Sequence, residues 1–262
     1  MSEILLREDK GAIANLTLNR PEALNALSEE MLADLQAELD RLSIDQSIRV
    51  VTIKGAGRAF CAGHDLKQMQ GHRQSEDGGR AYYSALFAQC TRMMTTIPRL
   101  PQPVIAQVHG IATAAGCQLV ASCDMAVAAD TTRFGVNGVN IGLFCSTPMV
   151  ALSRNIPRKH VFEMLTTGEF LEADRARDLG LVNRVAPESE LDAATQELAE
   201  TAASKLGSAV KVGKQAFYEQ LEMTLDAAYG HTGRVITENM LHRDTAEGIQ
   251  AFLEKRDPDW PQ

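Results

Sequence analysis

Gln118 stands where a side chain that moves protons would be useful, yet its amide can serve as neither acid nor base. It lies in the run Gly110-Ile-Ala-Thr-Ala-Ala-Gly-Cys-Gln-Leu-Val-Ala-Ser-Cys-Asp124, which follows an apolar strand pattern at residues 103–108. A strand that turns into a small-residue helix leaves backbone N–H groups free above the turn, a setting for an anion or developing negative charge. A second such turn is Ala59-Phe-Cys-Ala-Gly-His-Asp65. Two turns converging on one carbonyl oxygen form an oxyanion hole, in which each donor contributes ~2.7–4 kcal/mol in the transition state. The same small residues also permit close helix–sheet packing, and spacing alone leaves both readings open.

Other chemistries have less support. The chain has no Gly-x-x-x-x-Gly-Lys-Ser/Thr loop and no Gly-x-Ser-x-Gly elbow, and Gly55-Ala-Gly-Arg-Ala-Phe60 lacks the third glycine of a dinucleotide fingerprint. Cys117 and Cys123 have neither a second pair nor a His cluster beside them, so they read as buried small hydrophobes rather than zinc ligands. His64 and Asp65 resemble a dyad, but neighbours in a turn diverge, and an Asp that opens a short helix is normally its cap. His64 is therefore expected to act through its backbone N–H, with an imidazole lining the site as the second reading. Met93, Met94 and Met149 read as core.

The elements that must position these residues follow from pattern. Residues 4–7 and 12–18 read as strands joined at residues 9–11, and Ser28 caps a helix with Met31, Leu32, Leu35, Leu39 and Leu42 on one face. Strands at residues 49–54, 103–108 and 125–128 alternate with helices at 81–96 and 115–122, and residues 71–79 form a polar, mobile link. From residue 147 onward the pattern is almost only helix. Strands alternating with helices, then a helical tail, predict an α/β core with a C-terminal helical appendage.

Composition narrows the function. Of 262 residues, 45% are hydrophobic, and 26 Lys and Arg against 34 Asp and Glu give a net charge of −8. An acidic chain without a dense Lys/Arg run is poorly suited to nucleic acid or an anionic membrane. No apolar run approaches the ~20 residues that span a bilayer. Five cysteines and an N-terminus without signal or transit character predict reduced thiols and a cytoplasmic location.

Together these segments resemble the crotonase (enoyl-CoA hydratase/isomerase) superfamily over nearly the whole chain. The resemblance runs through Asn19-Arg-Pro-Glu-Ala-Leu-Asn-Ala-Leu27, Ala59-Phe-Cys-Ala-Gly-His-Asp-Leu66, residues 103–124, Phe134-Gly135, Leu165-Thr-Thr-Gly-Glu169, Gly180-Leu-Val-Asn-Arg-Val185 and residues 244–256. Within the superfamily, Gly138-Val-Asn140 and Gly142-Leu-Phe-Cys-Ser-Thr-Pro148 are similar to the third-type enoyl-CoA hydratase domain-containing subgroup. The resemblance implies a ββα superhelix at residues 1–200 carrying an acyl-CoA site. It also implies a C-terminal helical region at 201–262 that builds a homotrimer or hexamer. It assigns the thioester oxyanion hole to the N–H groups of His64 and Ala115. Coenzyme A, as part of the substrate and with no separate cofactor or metal, would run along Ala62, His64, Asp65, Leu66 and Lys67, and Lys255 would reach a CoA phosphate.

Departures from the family matter as much. Hydratases carry two glutamates that position water and shuttle its protons; by this resemblance Gln118 stands at the first position and Gly138 at the second. Gly138 is similar to the glycine of dihydroxynaphthoyl-CoA synthases and is expected to open room for another group, although Val136 and Leu143 do not supply their polar anchors. Asn137, Asn140, Cys145 and Ser146 are candidates to line the chamber. Cys145 reads either as an acid, base or nucleophile or as a structural thiol. The expectation is an acyl-CoA enzyme that stabilises a thioester enolate without conventional hydration. The alternatives are a non-catalytic acyl-CoA-binding or scaffold protein, and an acyl-CoA thioesterase or decarboxylase.

Overall fold

Ser28 opens the first long helix as its sequence requires. Its Oγ accepts the Met31 N–H at 3.2 Å, and α1 (Glu29–Ile44) buries Met31, Leu32, Leu35, Leu39 and Leu42. The computed structural model describes residues 3–260. Its strands are β1 (Leu5–Lys10), β2 (Ile13–Leu18), β3 (Val50–Gly55), β4 (Val104–Val108), β5 (Ile111–Thr113), β6 (Met125–Ala129), β7 (Arg133–Gly135), β8 (Leu171–Glu172) and β9 (Arg184–Ala186). A six-stranded sheet runs β1-β2-β3-β4-β6-β9, and a three-stranded sheet runs β5-β7-β8. β1 pairs antiparallel with β2 and β8 antiparallel with β7; the remaining pairs are parallel. The first strand reaches Lys10, which pairs with Ile13, so the turn is tighter than the sequence pattern predicts. β8 and β9 interrupt the expected helical tail, because strands of two or three residues leave no periodicity to read.

The other helices are α2 (Leu66–Gly71), α3 (Arg80–Thr96), α4 (Ala115–Ser122), α5 (Pro148–Leu152), α6 (Arg158–Thr167), α7 (Ala173–Asp178), α8 (Leu191–Ala203), α9 (Gly207–Gln220), α10 (Leu225–Met240) and α11 (Arg243–Glu254). One face of the large sheet, with Leu16, Leu18, Val51, Ile53 and Ala106, joins α1, α3 and α4 in the main core. On the other face, Ile13, Val50, Ile105 and Val127 meet Leu191 and Ala199 of α8. Strands covered on both faces are apolar at consecutive positions, and β4 is buried at every residue.

The last three helices behave differently. α9 buries only Ala216, α11 only Ala251, and α10 buries no residue. What holds α9 down is polar. Lys214 Nζ donates to Asp124 Oδ2 at 2.6 Å and to the carbonyls of Ile97 and Gln102, while the Tyr218 hydroxyl donates to Asp124 Oδ1 at 2.7 Å. Asp124 also accepts the Val104 N–H at 2.6 Å, so one carboxylate ties β4, the end of α4 and α9 together. Among the described residues no helix is long and apolar enough to cross a membrane.

Candidate functional site

The two strand-to-helix turns singled out above lie against each other. Residues 61–63 continue β5 sideways: Cys61 N–H bonds the Ile111 carbonyl at 3.2 Å, and Thr113 N–H bonds the Cys61 carbonyl at 3.0 Å. On the opposite side the same turn is stitched to residues 24–27. Ala62 N–H bonds Leu24 O at 3.0 Å, Leu27 N–H bonds Gly63 O at 2.7 Å, and Asp65 N–H bonds Leu27 O at 3.3 Å. A Cβ at Gly63 would sit 2.9 Å from the Ala114 Cβ and 3.3 Å from the Ala115 nitrogen, which measures how closely the turns approach.

Within this stitching several amides are left over. The N–H groups of His64 and Ala115 have no hydrogen-bond acceptor among the described residues. Ala115 is the first residue of α4, where an N–H has no intrahelical partner. The residue before it, Ala114, has φ 49° and ψ −120°, a conformation that favours glycine. A backbone held there costs about 1–3 kcal/mol and persists only when its surroundings fix it. Here the Ala114 N–H to Gly135 O bond at 2.9 Å and the Gly63 contact do so.

Asn25 is the residue behind this turn that the sequence motif displayed without its reason. Fully buried and at φ 54°, it donates from Nδ2 to Ala56 O at 2.8 Å and Ala59 O at 2.7 Å, and its Oδ1 accepts the Arg20 N–H at 2.9 Å. A polar residue between small apolar ones in a loop was the available signal. Asp65 caps α2, accepting N–H groups from Lys67 at 3.0 Å and Gln68 at 3.3 Å, and it pairs with Arg20 at 3.2 Å. Burial pushes its carboxyl pKa up, but the Gln68 amide, Arg20 and the Lys67 amide together hold it below the usual value. Leu66 and Lys67 are exposed beyond this cap, and Ala62 is half-buried.

The His64 imidazole packs edge-on against Phe87 of α3, with centroids 5.5 Å apart, and neither ring nitrogen has a partner or solvent contact. Burial lowers its pKa, opposed only by the Leu27 backbone, so the ring is neutral at pH 7. Gln118, 5% exposed, lies one turn into α4 with its Oε1 buried and unpartnered.

Gly138 opens no room, contrary to expectation. It belongs to a 3-10 turn, Asn137–Ile141, and a Cβ there would collide with the Leu143 carbonyl oxygen and stand 2.9 Å from Cys145 Sγ. The chain itself fills that space. Asn137 Oδ1 accepts the Thr113 hydroxyl at 2.6 Å, joining this turn to β5. Cys145 is buried, and burial raises its thiol pKa, with the Gly138 backbone opposing; Cys117, beside it in the core, is pushed up to about 12. Asn140 and Ser146 are exposed, as is Met149 at 37%, which the pattern had assigned to the core. Lys255 follows the end of α11, exposed and in a left-handed conformation.

A family model for enoyl-CoA hydratase/isomerase matches residues 8–262. The mitochondrial enoyl-CoA hydratase domain-containing protein 3 of Homo sapiens is 46% identical over 248 residues, covering 95% of this chain and 80% of that protein. The Xenopus laevis protein of that name is 44% identical over 256 residues, covering 98% and 85%. Among solved structures, an enoyl-CoA hydratase of Mycobacterium smegmatis matches with a TM-score of 0.95 at 52% identity over 99% of both chains. The human enoyl-CoA hydratase domain-containing protein 3 matches with a TM-score of 0.94 at 44% identity, covering 98% of this chain and all of that one. These animal relatives are named as mitochondrial proteins, which overturns the cytoplasmic expectation.

Proposed function

The chain belongs to the enoyl-CoA hydratase/isomerase family, and from that membership we propose that it holds an acyl-CoA thioester with the carbonyl oxygen between the N–H groups of His64 and Ala115. The observation that supports this is the pair of unused amides on two turns in mutual contact, one of them aimed by a strained Ala114. Donors fixed before the substrate arrives need no reorganisation as charge develops on the oxygen, and that is where such a site gains most. Negative charge developing on the thioester oxygen, as in an enolate, would fall on these two amides. Coenzyme A enters as part of the substrate, along the exposed edge formed by Asp65, Leu66 and Lys67. Lys67 and Lys255 are the cations offered to its phosphates, and Lys255 serves from a neighbouring copy.

Water addition by a carboxylate pair is not the reaction we assign. Gln118 can orient a substrate group or a water but not deprotonate it, Gly138 brings no side chain, and the buried Cys145 stays a thiol. The packed turn at Gly138 also favours a second reading, a protein that binds acyl-CoA without turning it over. The assembly we propose is a homotrimer or hexamer. α9 to α11 leave Phe217, Leu225, Tyr229, Leu241 and Phe252 exposed, the last at 82%, and such a surface suits burial against further copies.

Calorimetry with short acyl-CoA esters, followed by product analysis for hydrated, isomerised, hydrolysed and decarboxylated species, tests both readings. Binding with isomerised or proton-exchanged product supports the enzyme. Binding with no product supports the non-catalytic protein, and free acid or carbon dioxide assigns thioesterase or decarboxylase chemistry. Absence of any acyl-CoA binding overturns the proposal.

A further inference from the structure

The His64 amide owes its direction to bonds made by its neighbours. Gly63 O accepts the Leu27 N–H at 2.7 Å, and the Asp65 N–H donates to Leu27 O at 3.3 Å, so His64 and Leu27 form a parallel bridge. The peptide between Gly63 and His64 is trans, and in a trans peptide the C=O and N–H point opposite ways. With the Gly63 carbonyl held on Leu27, the His64 N–H must aim away from it. Whatever fixes Leu27 against residues 63–65 therefore fixes that amide.

We propose that Arg20 is a positioning residue for the His64 amide, clamping the backbone at Leu27 to the turn that carries it. The inference rests on the acyl-CoA reading above and adds a residue that tunes its carbonyl contact. Arg20 Nη1 donates to Ala26 O at 3.3 Å and Nη2 to Asp65 Oδ2 at 3.2 Å. Ala26 precedes Leu27 and Asp65 follows His64, so one planar fork spans both sides of the bridge. Neither end of the fork is loose. The Arg20 backbone is bonded through its N–H to Asn25 Oδ1 at 2.9 Å and through its carbonyl to the Ala23 and Asn25 amides. Asp65 is anchored by the Lys67 and Gln68 amides at the start of α2.

A purely structural ion pair is the plainer reading, and the exposure argues against it. The Arg20 and Asp65 side chains keep 21% and 12% of their surface in solvent, and an ion pair open to water adds little to stability. On the inner side Asn25 already ties the loop to the Ala56 and Ala59 carbonyls. What the fork adds is restraint at the one bridge that aims the amide. Hydrogen bonds weaken steeply as their angle closes, and a site of this kind works only when its donors are held within about 0.5 Å. A lysine at this position offers a point charge in place of a fork, so it meets one of the two oxygens rather than both.

The test is infrared spectroscopy of butyryl-CoA labelled with carbon-13 at its carbonyl and bound to the intact protein, with calorimetry alongside. Hydrogen bonds to a carbonyl oxygen lower its stretching frequency, so the shift on binding reads the amide contact directly. In the unaltered chain the stretch should fall. Arg20→Met should return most of that shift and weaken the ester about threefold to tenfold, while coenzyme A without an acyl group binds within about twofold. Arg20→Lys should fall between the two. A shift in either variant equal to that of the unaltered chain overturns the positioning role, and the lysine variant decides if the methionine variant does not fold. Equal weakening of ester and free coenzyme A by Arg20→Met also overturns it, because a loss of general structure would move both. An ester that binds the unaltered chain with an unshifted carbonyl overturns the two-amide contact and the role of Arg20 together; no binding of any ester overturns the acyl-CoA reading itself.

Discussion

The turns at residues 61–64 and 113–115 and the segment at residues 137–145 meet the same end of α4, but they differ in what they leave open. The first pair is bonded on both sides, to residues 24–27 and to β5, and the amides of His64 and Ala115 are among those it leaves unused. The second folds back on itself, with the Leu143 N–H on the Gly138 carbonyl at 3.0 Å, and closes the space a side chain at Gly138 would need. One wall leaves backbone amides unbonded; the other is packed with its own backbone and a thiol. Binding and proton transfer are therefore separable in this fold. On the proposed reading, the first wall binds and the second carries no group for proton transfer.

The largest effect is expected from breaking the receiving wall at its support. Asn25→Ala leaves the Ala56 and Ala59 carbonyls and the Arg20 N–H without their partner and puts alanine at φ 54°. A loss of about 3–5 kcal/mol in chemical denaturation follows from several stranded buried groups, with acyl-CoA affinity weakened alongside. A loss under about 1 kcal/mol would mean that the wall is held by its backbone bonds alone.

The closed wall gives the next test. Gly138→Ala should cost about 1–3 kcal/mol, the usual penalty of overpacking. The double variant Gln118→Glu/Gly138→Glu should then gain no hydration of a short enoyl-CoA, since its second carboxylate cannot enter without displacing Leu143. Recovery of hydration would show that the segment yields easily and that the contrast between the walls is one of side chains only.

The smallest effect concerns His64. Burial holds its pKa below the ordinary 6.5, so as pH falls the unfolded chain takes up this proton before the folded one does. The stability tied to this residue is complete above pH 6.5 and declines below it, whereas the part tied to the depressed carboxyl of Asp65 is lost only below the ordinary 3.8. Denaturation series for the unaltered chain and His64→Asn should converge between pH 7.5 and 5 as the wild-type advantage falls. A pH-independent difference would place the imidazole in contact with solvent.

Much of the receiving wall could be read in the sequence. Small residues after an apolar strand announce free amides, Asp65 before a short helix announces a cap, and the Ser28 helix appears with its whole buried face. The closed wall could not. That Gly138 lacks a side chain is visible in one letter, but what occupies the space is the carbonyl of Leu143, and backbone positions have no signature in residue types. β5 and β7 were missed for a related reason: three residues each, they exist because they pair with one another, not because they alternate. α9 to α11 leave large apolar residues exposed, and the sequence pattern does not distinguish such faces from ones that pack within the chain.

The hydrogen bonds that pin the turn ahead of His64 reach far along the chain. Asn25 bonds the Ala59 carbonyl across 34 residues, and Cys61 is paired with a strand that begins only at Ile111. No stretch of chain carries this site by itself. Its geometry appears only once the large sheet and the strands beyond it have assembled, so the two open amides share the cooperativity of global unfolding rather than that of a local loop. A ligand held by them draws its binding energy against the folding equilibrium of the whole core, and its affinity doubles as a gauge of how much of the protein is folded.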